Sequence, residues 1–542
     1  MPAAPHPLVL RGREALQRGD MRAVEAAAEE RLKTAGRDVN ALELRFIVQQ
    51  KRGQFGQAAR TLDTVIGIDQ RADWAYNELV QLFMVHGKPE DAEKVARAAL
   101  RANPRNAHAH NLFGTILSEM NNLPAGEWHL RSALELSGPQ APVLMNLGLN
   151  LMKQGRVDEA DTAFARAHEL APQDMKTLAY WSTLHEGRGD LKRAGELLDR
   201  AEAVSSPADV NLLRANYLTR AGRPKEAVAI LDAAGTLSSE AHLARGRLHD
   251  SLGDYGTAWQ DFVAGKAKLL KEHPGTEYRA DAVESLFDRC KAFFTREHIS
   301  LLPQAKTRTD TSQPIFVMGF PRSGSTLVEQ ILSGHSAIAA GGDLPFVGDM
   351  SKLAGSLFPG SERFPENLAH SWMADYHYSA TLFRDYYLAR AEQYGLLKSG
   401  TTYFTDKMPF NEIYLPLLKM AFPNAKIVRV VRHPLDVCVS MLSNNMAHGL
   451  HCGYRIEDIS NHLAAVHDLV AHYGKELALN DFVVSYESLV ADPEGETRKL
   501  LGYLGLPFEA ACVRKLHGHS IGRYKHYEQQ LKPHAGRFAS FS

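Results

Sequence analysis

The chain has 542 residues, with 62 lysines and arginines against 63 aspartates and glutamates, a formal charge of -1. That length exceeds one ordinary core, so two or more domains are expected, and the even charge balance gives no bulk attraction to nucleic acid or to an anionic membrane surface. The four cysteines, Cys290, Cys438, Cys452 and Cys512, contain no CxxC pair, which argues against a zinc knuckle and a disulfide framework and fits a reducing compartment.

The amino-terminal stretch MPAAPHPLVLRGREALQRGD lacks a charged-then-apolar signal pattern, and no run of about 18 apolar residues occurs. The expectation is a cytoplasmic protein without membrane insertion. Gly19, Gly53, Gly87, Asn121, Gly155 and Gly189 then recur every 34 residues, and Gly222 and Gly253 continue the series at 33 and 31, which makes eight units. Five residues after most of them stands a small residue, Ala58, Ala92, Gly126, Ala160, Ala194, Ala227 or Ala258, where a second helix must press closely on the first. Pro104, Gly138, Pro172 and Ser206 mark unit junctions in the same phase.

This period resembles tetratricopeptide repeats, as in GRVDEADTAFARAHELAP over residues 155–172. The resemblance covers residues 5–268 and implies an all-α solenoid whose concave surface can hold a peptide or protein. The alternative is a scaffold or dimerisation arm, so homo-oligomerisation stays open. Over residues 269–313 the period stops. Ala282, Leu286, Cys290 and Phe293 predict a connecting helix within Asp281 to Arg296, and the polar run from Gln304 to Pro314 reads as a linker.

A different pattern fills residues 314–542. Strands are predicted at Ile315 to Met318, Lys426 to Val431 and Phe482 to Ser485, and helices at Ser325 to Leu332, Leu435 to Leu442 and around Leu500 to Leu504. Such alternation points to an α/β domain with a central parallel sheet, whose ligands bind at the carboxyl ends of the strands. In Phe316-Val-Met-Gly-Phe-Pro-Arg-Ser-Gly-Ser-Thr-Leu-Val-Glu-Gln-Ile-Leu332, Gly319 and Gly324 keep the spacing of a phosphate loop, but Ser325 stands where an ATP-using loop has lysine. A donor with one 5′-phosphate and a different terminal group fits better than ATP. A second anion site is suggested by Arg432 at a strand end and Ser440 eight residues later. The plainer reading of Arg432 is a surface ion pair with Asp436.

Together these motifs resemble the sulfotransferase family, most closely its protein-tyrosine branch, through Pro321-Arg-Ser-Gly-Ser-Thr-Leu327 and Asp406-Lys407-x-Pro409. The resemblance implies a P-loop-like sulfotransferase domain using 3′-phosphoadenosine 5′-phosphosulfate without a metal. It assigns the 5′-phosphosulfate to the loop (Arg322, Ser323, Gly324, Ser325, Thr326), the 3′-phosphate to Arg432 and Ser440, the adenosine to Tyr486, and a closing loop to Ser520-Ile-Gly-Arg-Tyr524. Arg322, Lys407 and the amides of Ser323 to Thr326 are the expected charge-stabilising groups. The branch's basic glutamate falls at Asp343, one methylene shorter, and Pro345 stands where an arginine follows in the branch. His335 is the lesser base candidate. Asn444, Asn445, His448 and His451 suggest a loop over the acceptor. The acceptor expected is a protein or peptide tyrosine. The alternatives are a carbohydrate or small hydroxyl compound, or a non-catalytic repeat scaffold with a nucleotide-binding domain. Since every donor motif follows Ile315, a fragment from about Lys266 onward is expected to keep nucleotide binding.

Overall fold

The computed structural model describes residues 5–205, 207–273, 276–358, 360, 362–446, 451–477, 479–513, 520–539 and 541. Ser206 and His448 lie outside the described residues. Helix follows helix from Pro7–Gln17 to Tyr255–Glu272, and all eight residues of the repeat series sit in turns within helix pairs, with φ between 61° and 85°. That left-handed conformation is cheapest for glycine and next for asparagine. The sequence period is therefore a period in backbone geometry. Ala58, Ala92, Ala160, Ala194, Ala227 and Ala258 are fully buried at the helix crossings, where a longer side chain would force the helices apart. Aspartates set several helix starts: Asp174 accepts from the Thr177 amide at 2.9 Å and Asp190 from Arg193 at 3.1 Å.

The chain divides into two compact units, Met1–Ala221 and Gly222–Ser542. In the first, each helix pair covers the apolar face of the next, as where Leu130, Leu147, Phe164, Leu178 and Leu197 share one core. The unit boundary falls at the turn of the seventh repeat. The eighth repeat, Ser239–Ser251 and Tyr255–Glu272, thus belongs to the same unit as the α/β domain. The connecting helix is Ala280–Phe293, and it packs Phe287 and Cys290 against the long helix Ile456–Glu476. The polar run after it is tied down at both ends: the Ala305 amide donates to the Met420 carbonyl at 2.8 Å, and Gln313 already begins a strand.

Five parallel strands, β1 (Gln313–Met318), β2 (Ile338–Ala339), β3 (Tyr403–Lys407), β4 (Lys426–Val431) and β5 (Asp481–Ser485), lie in the order β2-β3-β1-β4-β5. Along β1 alternate side chains enter different cores. Ile315 and Val317 meet Val328, Ile331 and Leu501, while Phe316 and Met318 face the larger layer containing Phe383, Tyr387 and Leu418. Helices therefore cover both faces, as a parallel sheet requires. The chain moves to one side after β1 and crosses to the other after β3, so connections diverge at the carboxyl end of β1. In open parallel sheets ligands bind where connections part in this way.

Candidate active site

Each strand delivers site residues at its carboxyl end. Arg322 follows β1, Asp343 follows β2, Lys407 ends β3, Arg432 follows β4 and Tyr486 follows β5. After β1 the chain turns through Arg322 (φ 72°) and Gly324 (φ 109°) into helix Ser325–Leu332. A Cβ on Gly324 would sit 2.6 Å from the Tyr486 ring, so only glycine lets that ring close on the loop. The Ser323 amide is spent on the Phe320 carbonyl at 3.0 Å. It is thereby removed from the expected set of free loop amides, because it closes the turn. Among the described residues no acceptor takes the amides of Gly324, Ser325 and Thr326, which open the positive end of the helix.

The arginines converge on this loop. Arg322 donates through Nε to Ser440 Oγ at 3.0 Å. Arg432 donates to the Arg322 carbonyl at 3.1 Å and to the Ser520 carbonyl, with its guanidinium 4.7 Å over the Tyr486 ring. Neither arginine has a carboxylate partner among the described residues. Desolvation, then the positive charges of Arg432, Arg523 and Arg247, lowers the Arg322 pKa, although the residue as a whole is exposed. Arg432 Nε and Ser323 Oγ are buried without partners. A cluster of cations with orphaned donors and neutral acceptors is built to take an anion. The ion pair of Arg432 with Asp436 does not form. Asp436 instead accepts the amides of Gly522 and Tyr524 at 2.7 and 2.8 Å and so anchors the 520–524 loop.

Asp343 and Lys407 are brought together, Lys407 Nζ donating to Asp343 Oδ1. Lys407 is buried and Asp343 exposed, so the pair presents its carboxylate outward. Its placement depends on Gly341, where a Cβ would strike the Thr405 carbonyl at 2.0 Å, and on Glu329, whose Oε1 accepts from the Gly342 amide and the Thr405 hydroxyl, both at 2.8 Å. Neighbouring Asp406 points the other way, as strand alternation demands. It accepts from the Tyr387 hydroxyl at 2.6 Å, and burial pushes its pKa up to about 7. His335 lies before β2, at the amino end of the sheet, with one ring nitrogen on the Pro507 carbonyl at 3.0 Å and the other on the Ala337 amide at 3.1 Å. Of the polar cluster after Leu442, Asn444 returns to the Ser440 carbonyl at 2.8 Å and His451 to the Thr276 carbonyl at 2.9 Å.

Arg523, in the expected closing loop, meets partners that carried no signal in their spacing. Arg523 donates to Asp250 Oδ2 at 3.0 Å and to Ser443 Oγ at 3.0 Å, Tyr527 donates to Asp250 Oδ1, and Arg247 donates to the Ser443 carbonyl at 3.0 Å. Asp250 and Arg247 belong to the eighth repeat. A fragment starting at Lys266 would lack both. The fragment expected to keep nucleotide binding would therefore lose the contacts that the eighth repeat makes with Arg523 and Ser443.

Residues 314–510 match the Sulfotransferase family model, and residues 50–116 and 141–174 match tetratricopeptide repeat models. An uncharacterised protein of Aquifex aeolicus is 26% identical over 413 residues, 71% of this chain and 53% of its own length, so the chain spans about half of that relative. A Caenorhabditis briggsae protein named "Putative protein-tyrosine sulfotransferase" is 24% identical over 221 residues, 39% of this chain and 70% of that one. Among solved structures, a tetratricopeptide repeat protein of Parabacteroides merdae is 16% identical with a TM-score of 0.40, covering 44% of this chain and 96% of the other. No helix among the described residues is long and apolar enough to cross a membrane.

Proposed function

From a chain that joins tetratricopeptide repeats to a sulfotransferase-family domain, we propose a transferase that takes the sulfuryl group of 3′-phosphoadenosine 5′-phosphosulfate to a protein or peptide tyrosine. The observation that carries this reading is the pairing of two anion-ready arginines, Arg322 and Arg432, on a phosphate loop that has Ser325 in place of the ATPase lysine. The orphaned Arg432 Nε and Ser323 Oγ fit a phosphorylated donor, because each is a buried donor waiting for an oxygen.

When bound, the donor supplies an activated sulfuryl group whose leaving group is a 5′-phosphate. The chain's residues have separate duties in this reading. The amides of Gly324, Ser325 and Thr326 and the Arg322 guanidinium neutralise the phosphosulfate and the charge that grows on it during transfer. Arg432, with Ser440 behind Arg322, holds the 3′-phosphate, and Tyr486 presents its ring to the adenine. Ser520 lies in the loop that Asp436 pins over this end. Asp343 takes the proton from the attacking hydroxyl, and Lys407 keeps the carboxylate oriented toward the groove. The repeats offer the surface for a peptide or protein acceptor, the usual work of such arrays. A tyrosine acceptor is favoured by the similarity to the Caenorhabditis briggsae protein.

The deciding experiment incubates the protein with 35S-labelled donor and a panel of tyrosine peptides, beside their phenylalanine counterparts and a set of sugars. Label on the tyrosine peptides alone supports the proposal. Label only on sugars would keep the donor and overturn the acceptor, and no transfer to any acceptor would leave a nucleotide-binding scaffold.

Two residues test the donor groove directly. Arg432→Ala should weaken adenosine 3′,5′-bisphosphate binding by about 1.5 to 3 kcal/mol, the worth of a charged hydrogen bond, measured by calorimetry. Affinity equal to wild type would remove the arginine from the 3′-phosphate. Asp250→Asn, in the eighth repeat, should weaken the same binding about tenfold by releasing Arg523 and Tyr527. An unchanged affinity would show that the last repeat braces the loop without serving the groove.

A further inference from the structure

A second cavity, of about 840 Å³, lies in the carboxy-terminal unit among helix Tyr255–Glu272 of the eighth repeat, helix Ile456–Glu476 and helix Glu528–Ala535. None of its lining residues belongs to the groove around Arg322 and Arg432. Its volume is that of a small-molecule site. Much of the wall is apolar, with Trp259, Val263, Leu270, Leu442 and Ile456 contributing.

Lys266 also lines it, and this lysine is out of place. Its side chain is only 1% exposed, yet its Nζ has no hydrogen-bond acceptor and no ion-pair partner among the described residues. A buried ammonium left in that state is costly, and such groups are ordinarily paired. Burial lowers its pKa to about 8, and the nearest compensating charges, those of Cys452 and Glu240, offset this only in part. Cys452 is itself a buried thiol held well above its ordinary pKa by desolvation, so near neutral pH it brings no negative charge to the amine. The rest of the lining adds to the imbalance. Lys271, Arg455 and Arg537 are cationic, while the one carboxylate among the described lining residues, Glu457, stands 3.8 Å from His534.

An apolar chamber with one unpaired buried cation and a positive surround is complementary to one kind of small molecule. We propose that this cavity binds a lipophilic carboxylate, its acid group on Lys266 and its apolar body along the Trp259 and Leu270 wall. The site stands on the carboxy-terminal unit alone and does not depend on which acceptor the transferase uses. The eighth repeat and the α/β domain both wall the cavity, so such a ligand would bind across the same junction that Asp250 and Arg523 hold closed.

The test is calorimetry of the full-length protein near neutral pH with sodium decanoate and, separately, decanamide, which has the same chain without the charge. Wild type is expected to bind decanoate at least about tenfold more tightly than the amide, since a charged hydrogen bond is at stake. Lys266→Met keeps the length and apolar stem, and is expected to erase that preference while leaving adenosine 3′,5′-bisphosphate affinity and the melting temperature undiminished. Lys266→Arg should retain the preference for the acid. The proposal is overturned if wild type does not bind decanoate, if it binds acid and amide alike, or if Lys266→Met still prefers the acid.

Discussion

Asp343→Asn is expected to fold, to keep its nucleotide affinity and to turn over about 100 to 10,000 times more slowly than wild type, the usual consequence of losing a general base. The substitution keeps the size of the side chain and still offers an oxygen to Lys407 Nζ, the contact that positions it. It cannot accept a proton near neutral pH. A phenol acceptor of pKa about 10 would then have to lose its proton unaided. Asp343→Glu should recover part of the rate, since it supplies a carboxylate one methylene longer at the same place. Single-turnover rates with a tyrosine peptide and a separate nucleotide titration read the two effects apart. Wild-type turnover in Asp343→Asn would end its role as base, and the search would have to leave His335 aside as well, because that imidazole sits at the amino end of β2 with both ring nitrogens engaged.

Lys407→Met should lower the rate by about 100- to 1,000-fold, the range found when one preorganised donor is taken from developing charge. Methionine matches the length of the buried stem, so the end of β3 should keep its packing. The side chain has one visible partner, Asp343, and the double variant with Asp343→Asn therefore tells more than either single one. If Lys407 acts only by orienting that carboxylate, the double variant will be no slower than Asp343→Asn. If it also meets the transferring group, the two losses will compound. Equal rates for Lys407→Met and wild type would remove it from both roles.

The repeat array was legible because its signal is local. A left-handed turn every 34 residues needs glycine or asparagine in each unit, and a close helix crossing needs a small residue five places later. Helix Ser325–Leu332 and strand β4 were legible for a similar reason, the helix because Leu327, Val328, Ile331 and Leu332 recur at helical spacing after Gly324, the strand because Ile427, Val428, Val430 and Val431 are β-branched. Strand β3 was not. Tyr403-Phe-Thr-Asp-Lys407 buries Thr405, Asp406 and Lys407, polar residues that mark a loop in any reading of patterns, and partners distant in sequence, among them Tyr387, Glu329 and Asp343, make that burial tolerable. The two-residue strand β2 is too short to leave any period.

What the sequence by itself determined was therefore the set of parts: a repeat array, a parallel α/β domain, and a glycine-bearing strand-to-helix loop with Ser325 where an ATP-using loop has lysine. Those features rest on neighbours within a turn, a strand or a helix, where spacing along the chain is also spacing in space. Only the tertiary structure decided that Asp436 anchors the 520–524 loop and leaves Arg432 unpaired, that Ser323 spends its amide on the turn, and that Asp343 meets Lys407. It alone brought Asp250 and Arg247 of the eighth repeat to Arg523 and Ser443, and enclosed Lys266 without a partner among the described residues. Apart from the local Ser323 turn, these are encounters between residues from about 60 to more than 270 positions apart. Their energies depend on burial and on which charges end up adjacent, and neither is written in the order of residues along the chain.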